Sequence, residues 1–335
     1  MEQRSWTQDD MATVLGITLK HVNKILTDKQ PLTLAMARIL GEVFNTSPQY
    51  WMNIDSGYRL WLQQEKSDKE KEADIKAKIY ERMPVNDMIK KGWLPAYATV
   101  KELEKSVLTF WDWKSIDFNR IENHINFLTK KSQAYNQFNG SYAITWYKMA
   151  QNVALKRIAD RFDKQKLVGL YDELHSFTNS ENGINKFLEE LKACGVTFFV
   201  LPHLQKTYLD GAAFIVNDNH PVIVYTGRYK RIDNFWFTIA HEIAHVLKHL
   251  DNKLTYVLDN FKEMSTDNIE DEANDMAAEK LKHREIFEYL SPYINYLTTE
   301  KVEECAEKYE IHPSIIIGKL AHDDIISYRN QSLYN

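Results

Sequence analysis

Cysteine, glycine and proline are all scarce in this chain of 335 residues, and it contains no long apolar run. The two cysteines, Cys194 and Cys305, cannot build a disulfide framework, and no CxxC pair offers a thiolate zinc site. With only 11 glycines and 8 prolines, collagen-like and many-turned all-β designs are excluded. The chain contains no run of about 18 apolar residues, the length that a membrane-spanning helix needs. We therefore expect a mainly helical protein with no membrane partner.

The first ten residues, MEQRSWTQDD, lack the basic and then apolar layout of a signal peptide, so we expect a cytoplasmic location. Hydrophobic residues make up 44% of the chain, which provides enough apolar material for more than one core and argues against a largely disordered protein. The net charge of −5 argues against non-specific coating of nucleic acid, but it leaves room for one small DNA-reading module.

Helix signals run along most of the chain, and short β-branched or aromatic runs occur at 196–201, 212–216 and 222–225. This pattern predicts a mainly α protein with a small β-sheet, of the α+β class. We expect four parts: an all-α domain over 1–62, a charged helical connector over 63–82, a helical middle region over 83–167, and a C-terminal domain over 168–335 that contains the strands.

Capping signals divide the first 62 residues into short helices. Thr7 and Asp10 form a T-x-x-D capping box that begins one helix, and Gly16 ends it. Thr18 can cap the next helix, so the two helices flank a tight turn, as in a helix-turn-helix. The second helix carries polar side chains that can reach phosphates and base edges. The predicted DNA-contacting residues are Thr18, Lys20, His21, Asn23 and Lys24.

The stretch His241-Glu242-Ile243-Ala244-His245 is an HExxH motif inside an apolar helical segment. Positions four apart on a helix share a face, so His241 and His245 can point at one zinc ion. Glu242 lies about 100° around the helix from His241 and can serve as the general base toward water. The motif predicts a catalytic zinc site.

Such a site takes a third protein ligand and keeps one open position. His249 continues the spacing of four, but it lies about 12 Å along a straight helix from His241, too far to share an ion bound at about 2 Å. We therefore expect the third ligand to come from the acidic helical segment NIEDEANDMAAEKL, at 268–281. Its carboxylates are Glu270, Asp271, Glu272, Asp275 and Glu279.

The segment from 231 to 245, together with Glu272-Ala273-Asn274 and Ala277-Ala278, resembles the ImmA/IrrE family of bacterial zinc metallo-endopeptidases. In that family the glutamate directly before the alanine of the second motif is the third ligand. The resemblance thus implies Zn²⁺ as cofactor, held by His241, His245 and Glu272, with Glu242 as the catalytic base. It also implies a zincin-like metallopeptidase domain over 168–335.

Two further roles stay open at the level of sequence. The scissile carbonyl needs one more donor, and Tyr225, Tyr229 and His249 are candidates, each of which has a structural role as its alternative. Asp275 lies one helical turn from Glu272 and is a candidate for orienting a ligand, although a solvated surface position is the alternative.

The N-terminal stretch, and above all its ending NTSPQYWMN, resembles the HigA-like branch of XRE-type regulators. The resemblance implies a double-stranded DNA operator as partner and a homodimer, because such half-sites are paired. Residues 1–62 contain six basic and six acidic side chains, so the module is electrostatically neutral. A helical module kept for dimerisation or partner recognition is therefore the alternative.

Together, the two resemblances imply a zinc-dependent endopeptidase coupled to a DNA-binding module. The expected substrate is a regulatory protein, such as a repressor, in a stress or mobile-element switch. The alternative is an antitoxin-like transcriptional regulator, from a toxin-antitoxin system, whose metal domain senses or scaffolds without proteolysis.

Overall fold

A computed structural model of the chain describes residues 4–63, 65–122, 139–157, 160–217, 219–250 and 266–327. Its backbone separates into two compact units, Met1–Asp74 and Ile75–Asn335. Within the described ranges the protein is mainly helical with one three-stranded sheet, which confirms the predicted α+β class.

The first unit contains a bundle of short helices whose ends follow the predicted caps. The helices are α1 (Gln8–Leu15), α2 (Leu19–Leu26), α3 (Leu34–Phe44) and α4 (Pro48–Leu62). The Thr7 hydroxyl accepts from the amide of Asp10 at 3.1 Å, and the Asp10 carboxylate accepts from the amide of Thr7 at 2.8 Å. Gly16 ends α1 with a φ of 65°, and the Thr18 hydroxyl caps α2. The predicted helix-turn-helix geometry is therefore present, over a small core lined by Leu15 and Val22.

In the second unit, helices both precede and follow the three strands in the chain. Before the strands come α5 (Asp68–Arg82), which begins in the first unit, α6 (Val85–Lys90), α7 (Val100–Trp111), α8 (Gly140–Ala154), α9 (Lys164–Asp172), α10 (Leu174–Thr178) and α11 (Gly183–Ala193). After the strands come α12 (Ile232–Ala244), a π-helical turn (His245–His249), α13 (Thr266–Lys280), α14 (His283–Leu290), a 3₁₀ turn (Ser291–Tyr296), α15 (Thr299–Tyr309) and α16 (Pro313–His322).

The sheet consists of the three predicted strands. They are β1 (Thr197–Val200), β2 (Gly211–Val216) and β3 (His220–Tyr225). β3 lies in the centre, parallel to β1 and antiparallel to β2, with Phe198 and Ala213 both opposite Ile223. β2 and β3 are consecutive antiparallel strands separated by three residues, whereas ten residues, 201–210, separate β1 from β2.

Both faces of the sheet are buried, because strand side chains alternate between them. Ala213 and Ile223 lie in a core with α9–α16, whereas Phe214 and Val224 lie in a core with α5–α8. The predicted middle region and the predicted C-terminal region therefore share one sheet and one compact unit.

Helix α12 runs through the core on the C-terminal side of the sheet. Phe235, Trp236, Ile239 and Ile243 are all buried, and an apolar helix of this kind is stable only when it is covered on most sides. A polar side chain on such a helix is therefore largely shielded from bulk water. The HExxH residues lie at its C-terminal end.

Candidate metal centre

Two imidazoles and one carboxylate converge at the end of α12. The Nε2 atoms of His241 and His245 lie 2.9 Å apart. Glu270 extends from α13 and places its Oε2 atom 3.3 Å from Nε2 of His241 and 3.8 Å from Nε2 of His245. Among the described residues these three form the one His, Cys, Asp or Glu cluster whose ligand atoms all lie within 4.8 Å of one another.

The Nδ1 atoms of His241 and His245 are not part of the cluster, and their hydrogen-bond partners bear on the tautomer of each ring. Nδ1 of His241 lies 3.0 Å from Oδ1 of Asn274, an oxygen that can only accept. Nδ1 of His241 therefore carries the proton, and in the neutral ring its Nε2 presents a bare lone pair to the cluster. On the other ring, Nδ1 of His245 lies 2.9 Å from Nδ1 of His249.

The donor set fits a divalent metal such as zinc. Two imidazole nitrogens 2.9 Å apart need a proton or a metal cation between them, and the Glu270 carboxylate adds a negative charge on the same side. Tetrahedral zinc with bonds of about 2.0–2.2 Å separates its ligand atoms by about 3.3–3.6 Å. The three observed separations, from 2.9 to 3.8 Å, bracket that range.

The electrostatics of the cluster agree with this reading. Burial alone would raise the pKa of Glu270, but in the metal-free protein the hydrogen bonds that its carboxylate accepts from His241 and His245 outweigh burial and hold that pKa well below its usual range. A bound metal would take the place of those protons. Burial alone would lower the pKa of His241, whereas the Glu270 hydrogen bond and the charge of Glu242 outweigh it and raise that pKa. The site is therefore built to hold positive charge next to an ionised carboxylate.

Glu242 lies beside the cluster in a largely dry position. Its side chain is buried, and burial, with a further contribution from the charge of Glu270, raises the pKa of Glu242 to about 8 against the opposing effect of His241. The first residue of β2 packs directly against it, since a Cβ atom on Gly211 would lie 2.7 Å from Oε1 of Glu242. Glycine is what allows the strand to come this close.

Comparison with known families assigns both ends of the chain. Residues 195–320 match the family model described as the IrrE N-terminal-like domain, Peptidase_M78. The chain carries an IrrE-like domain. Residues 1–51 match the family model described as helix-turn-helix, so a helix-turn-helix domain precedes the IrrE-like domain and implies DNA binding. These matches confirm the predicted helix-turn-helix domain and the predicted IrrE-like domain.

One curated relative supports the N-terminal assignment. An uncharacterized HTH-type transcriptional regulator of Haemophilus influenzae is 28% identical over 81 residues, which cover 24% of this chain and 76% of that protein. No solved structure matches the chain. None of the helices in the described ranges has the length and apolar character needed to cross a bilayer.

In the IrrE-like domain the third member of the cluster is Glu270, whereas the sequence prediction named Glu272. Glu270 and Asn274 are four residues apart on α13 and share the face that meets α12. Glu272 is two residues further along than Glu270, about 200° around the helix, and its Oε2 lies 3.2 Å from Nε2 of His249 instead. The sequence signal that would have identified Glu270 is the asparagine four residues later, Asn274, which lies on the same face of the helix.

The other candidates lie away from the cluster or meet it indirectly. The Tyr225 hydroxyl donates to the carbonyl of Tyr229 at 2.8 Å, which is a structural contact. The Tyr229 ring lies under the guanidinium of Arg228, 4.7 Å from its centroid. Asp275 is exposed, and the residue that contacts Nδ1 of His241 is its neighbour Asn274. These positions correspond to the alternatives stated for the three residues, a structural role for Tyr225 and Tyr229 and a surface position for Asp275.

Tyr147 of α8 is a site neighbour that sequence reasoning did not identify. It is buried, and burial together with the charges of Glu242 and Glu270 raises its pKa well above the ordinary value. Helix α8, which precedes the family match in the chain, therefore carries a buried phenol within electrostatic range of Glu242 and Glu270. No local sequence signal marks Tyr147, because only the packing of α8 on the sheet brings it here.

On the helix-turn-helix domain, α2 displays most of the predicted DNA-contacting residues. Lys20, Asn23 and Lys24 are exposed, and the exposed Thr18 uses its hydroxyl as the helix cap. His21 is half-buried, with its Nε2 atom 3.3 Å from Nε2 of Gln30. The DNA-contacting role of these five residues stays a prediction.

Proposed function

We propose that the IrrE-like domain is a zinc-dependent endopeptidase, coupled through the helix-turn-helix domain to a DNA operator. The observation that carries the proposal is the convergence of two imidazole nitrogens and the Glu270 carboxylate beside the buried Glu242. A cluster of two histidines and a glutamate next to a buried carboxylate is typical of metal-assisted hydrolysis.

His241, His245 and Glu270 would hold the metal in this proposal. When bound, zinc supplies Lewis-acid chemistry to the scissile carbonyl and to the attacking water. Glu242 accepts the proton from water and returns it to the leaving amine. Glu242 is buried beside the cluster, so its carboxyl group can move a proton between the water and the leaving amine within the site.

The edge of the sheet supports a protein as the substrate. Among the described residues β2 is at the end of the strand order and pairs with β3, and an extended peptide can add to a sheet at a strand in that position. Gly211, at the start of that edge strand, touches Glu242. A peptide added to β2 would therefore pass beside the general base. On the resemblance to ImmA/IrrE enzymes, we infer that this peptide belongs to a regulatory protein, such as a repressor, in a stress or mobile-element switch.

The DNA arm of the proposal uses the exposed face of α2. Lys20, Asn23 and Lys24 would contact phosphates and base edges. Because residues 1–62 carry equal numbers of basic and acidic side chains, a single domain gains little from charge. We infer that the chain binds its operator as a homodimer, which doubles the contact area.

Metal analysis and a substrate trap test the proposal together. The purified full-length protein and its Glu242→Gln variant are analysed for bound zinc, and the variant is then used to capture a protein from the native host. We expect both forms to hold zinc, and the wild type alone to cleave the captured protein. Equal cleavage by the two forms would refute the role of Glu242.

The same experiment separates the alternative function. An antitoxin-like regulator with a sensing or scaffolding metal domain would bind operator DNA in a zinc-dependent manner and cleave none of the captured proteins. That result would reject the endopeptidase while keeping the metal site.

A further inference from the structure

His249 and Glu272 are the two conspicuous polar residues that the proposed hydrolysis leaves without a role. They contact each other, with Nε2 of His249 lying 3.2 Å from Oε2 of Glu272. His249 also contacts the metal cluster from behind, since its Nδ1 lies 2.9 Å from Nδ1 of His245. Glu272, His249 and His245 therefore form a continuous chain of polar contacts that ends at the cluster.

The hydrogen-bonding chemistry allows one arrangement of protons along this chain when both rings are neutral. The Glu272 carboxylate oxygen is the acceptor of this contact, so Nε2 of His249 carries the proton and donates it. Nδ1 of His249 is then bare and accepts from Nδ1 of His245. Nε2 of His245 is left with its lone pair directed into the cluster, which is the tautomer that a metal ligand requires.

Burial supports a positioning role for His249. Its side chain is 9% exposed, whereas that of Glu272 is 54% exposed, so the chain runs from solvent to the metal cluster through a ring that is held in place. His249 lies at the end of a π-helical turn that begins at His245, and turns of this type are frequent at functional sites. The other proposed histidine ligand, His241, has an equivalent contact, between its Nδ1 atom and Oδ1 of Asn274.

We propose that Glu272 and His249 form a relay that positions His245 as a metal ligand. The relay rests on the proposed metal site and adds two positioning residues to it. Outer partners of ligating histidines fix the ring orientation and raise its basicity, and their loss weakens metal binding by about 10- to 100-fold. The relay also explains why a histidine that is too far along the helix to ligate occurs at position 249.

An isosteric pair of variants in the full-length protein tests the relay. Asparagine at position 249 keeps an acceptor oxygen where Nδ1 of His249 lies, just as Asn274 serves His241, whereas leucine has the same shape and no acceptor. The dissociation constant for Zn²⁺ alone is measured by competition with a chelating dye, and the thermal stability of each metal-free protein is measured alongside it. Nitrogen NMR of the imidazole ring reports which nitrogen of His245 carries the proton.

We expect His249→Leu to weaken Zn²⁺ binding by about 10- to 100-fold and His249→Asn to keep most of the affinity. Equal affinities of the two variants would overturn the relay. If His249→Leu does not fold, Glu272→Ala at its exposed position decides the question against Asp271→Ala, its exposed neighbour on α13. Weaker binding by Glu272→Ala supports the relay, and equal binding rejects it.

Failure of the metal site itself gives a different result. If the wild type binds no Zn²⁺, or if Glu270→Gln binds it as tightly as the wild type does, the proposed site is wrong and the relay is wrong with it. If the wild type binds and Glu270→Gln does not, the outcome of the position-249 pair judges the relay alone.

Discussion

Replacing Gly211 with alanine would press a methyl group against the proposed general base. The new Cβ atom would lie 2.7 Å from Oε1 of Glu242, 3.1 Å from Cγ of Glu242, and 2.7 Å from the methyl carbon of Thr238. Carbon atoms in contact normally stay about 3.5–4.0 Å apart, so the Thr238 contact is too short by roughly 1 Å. Strand β2 must move away from α12, or the Glu242 carboxylate must swing aside.

The two ways of relieving the clash have different costs. The Thr238 methyl sits on a β-branched side chain in a helix and cannot rotate freely, so part of the strain stays, at about 1–3 kcal/mol of unfolding free energy, as for other overpacked sites. The Glu242 carboxylate is the end of a longer side chain and gives way more easily. A displacement of about 1 Å of a group that must meet a water molecule can lower kcat by about 100-fold. We therefore expect a larger loss in catalysis than in stability.

Three measurements on Gly211→Ala check this reasoning, namely unfolding by denaturant, the dissociation constant for Zn²⁺, and the rate of cleavage of the trapped substrate. Gly169→Ala is the matched control, because Gly169 lies within α9 of the same unit and a Cβ atom there would meet nothing within 4 Å. Its expected effect is a gain of about 0.5–1 kcal/mol from helix propensity, with cleavage unchanged. Wild-type cleavage by Gly211→Ala would refute the claim that this close approach positions Glu242.

Three further predictions follow from other contacts. Glu270→Gln should lower the zinc content of the purified protein much further than Glu272→Gln, as measured by elemental analysis, and the reverse order would restore the assignment made from the family motif. Gly318→Ala should destabilise the fold by about 1–3 kcal/mol in denaturant unfolding, because its Cβ atom would lie 2.6 Å from Cβ of the buried Asp233. Burial lowers the pKa of His283 from 6.5 to about 4, so its contribution to stability is complete above pH 6.5 and is lost as the pH falls towards 4. The loss is at most about 3 kcal/mol, and His283→Gln should flatten that part of the stability curve; an unchanged curve would contradict the burial effect.

The parts of the structure that the sequence predicted well depend on short stretches of chain. A capping box needs only Thr7 and Asp10, and an HExxH pair needs only the 3.6-residue period that brings His241 and His245 to one face. The three strands were also recognisable, since each is a brief β-branched run between turn signals. Their presence could therefore be predicted before any tertiary contact was known.

The choice among the five carboxylates of 268–281 depends on tertiary packing. Every residue on α13 lies within a few ångströms along the axis of the next, so the rotation of that helix against α12 decides which carboxylate enters the cluster. Glu270 enters because Asn274, one turn later on the same face, meets His241. The motif E-A-N directed attention to Glu272, whose contact is with His249. A motif gives residue types and spacing, and it does not give the rotation of one helix on another.

The position of Tyr147 leads to a final prediction about where the folding unit begins. The sequence analysis placed the start of the peptidase domain at residue 168, yet Phe214, Val222 and Val224 are almost fully buried under helices α5–α8. A fragment of 168–335 would expose that face of the sheet, and each large apolar side chain left in water costs about 1.5–3 kcal/mol. We expect this fragment to aggregate or to remain partly unfolded, whereas a fragment of 75–335 should unfold cooperatively and bind Zn²⁺ like the full chain. Circular dichroism, a dye that reports exposed apolar surface, and Zn²⁺ titration of the two fragments measure the difference. If 168–335 folds and binds Zn²⁺ as well as 75–335, the middle helices are a separate domain and the shared sheet contributes little to the centre.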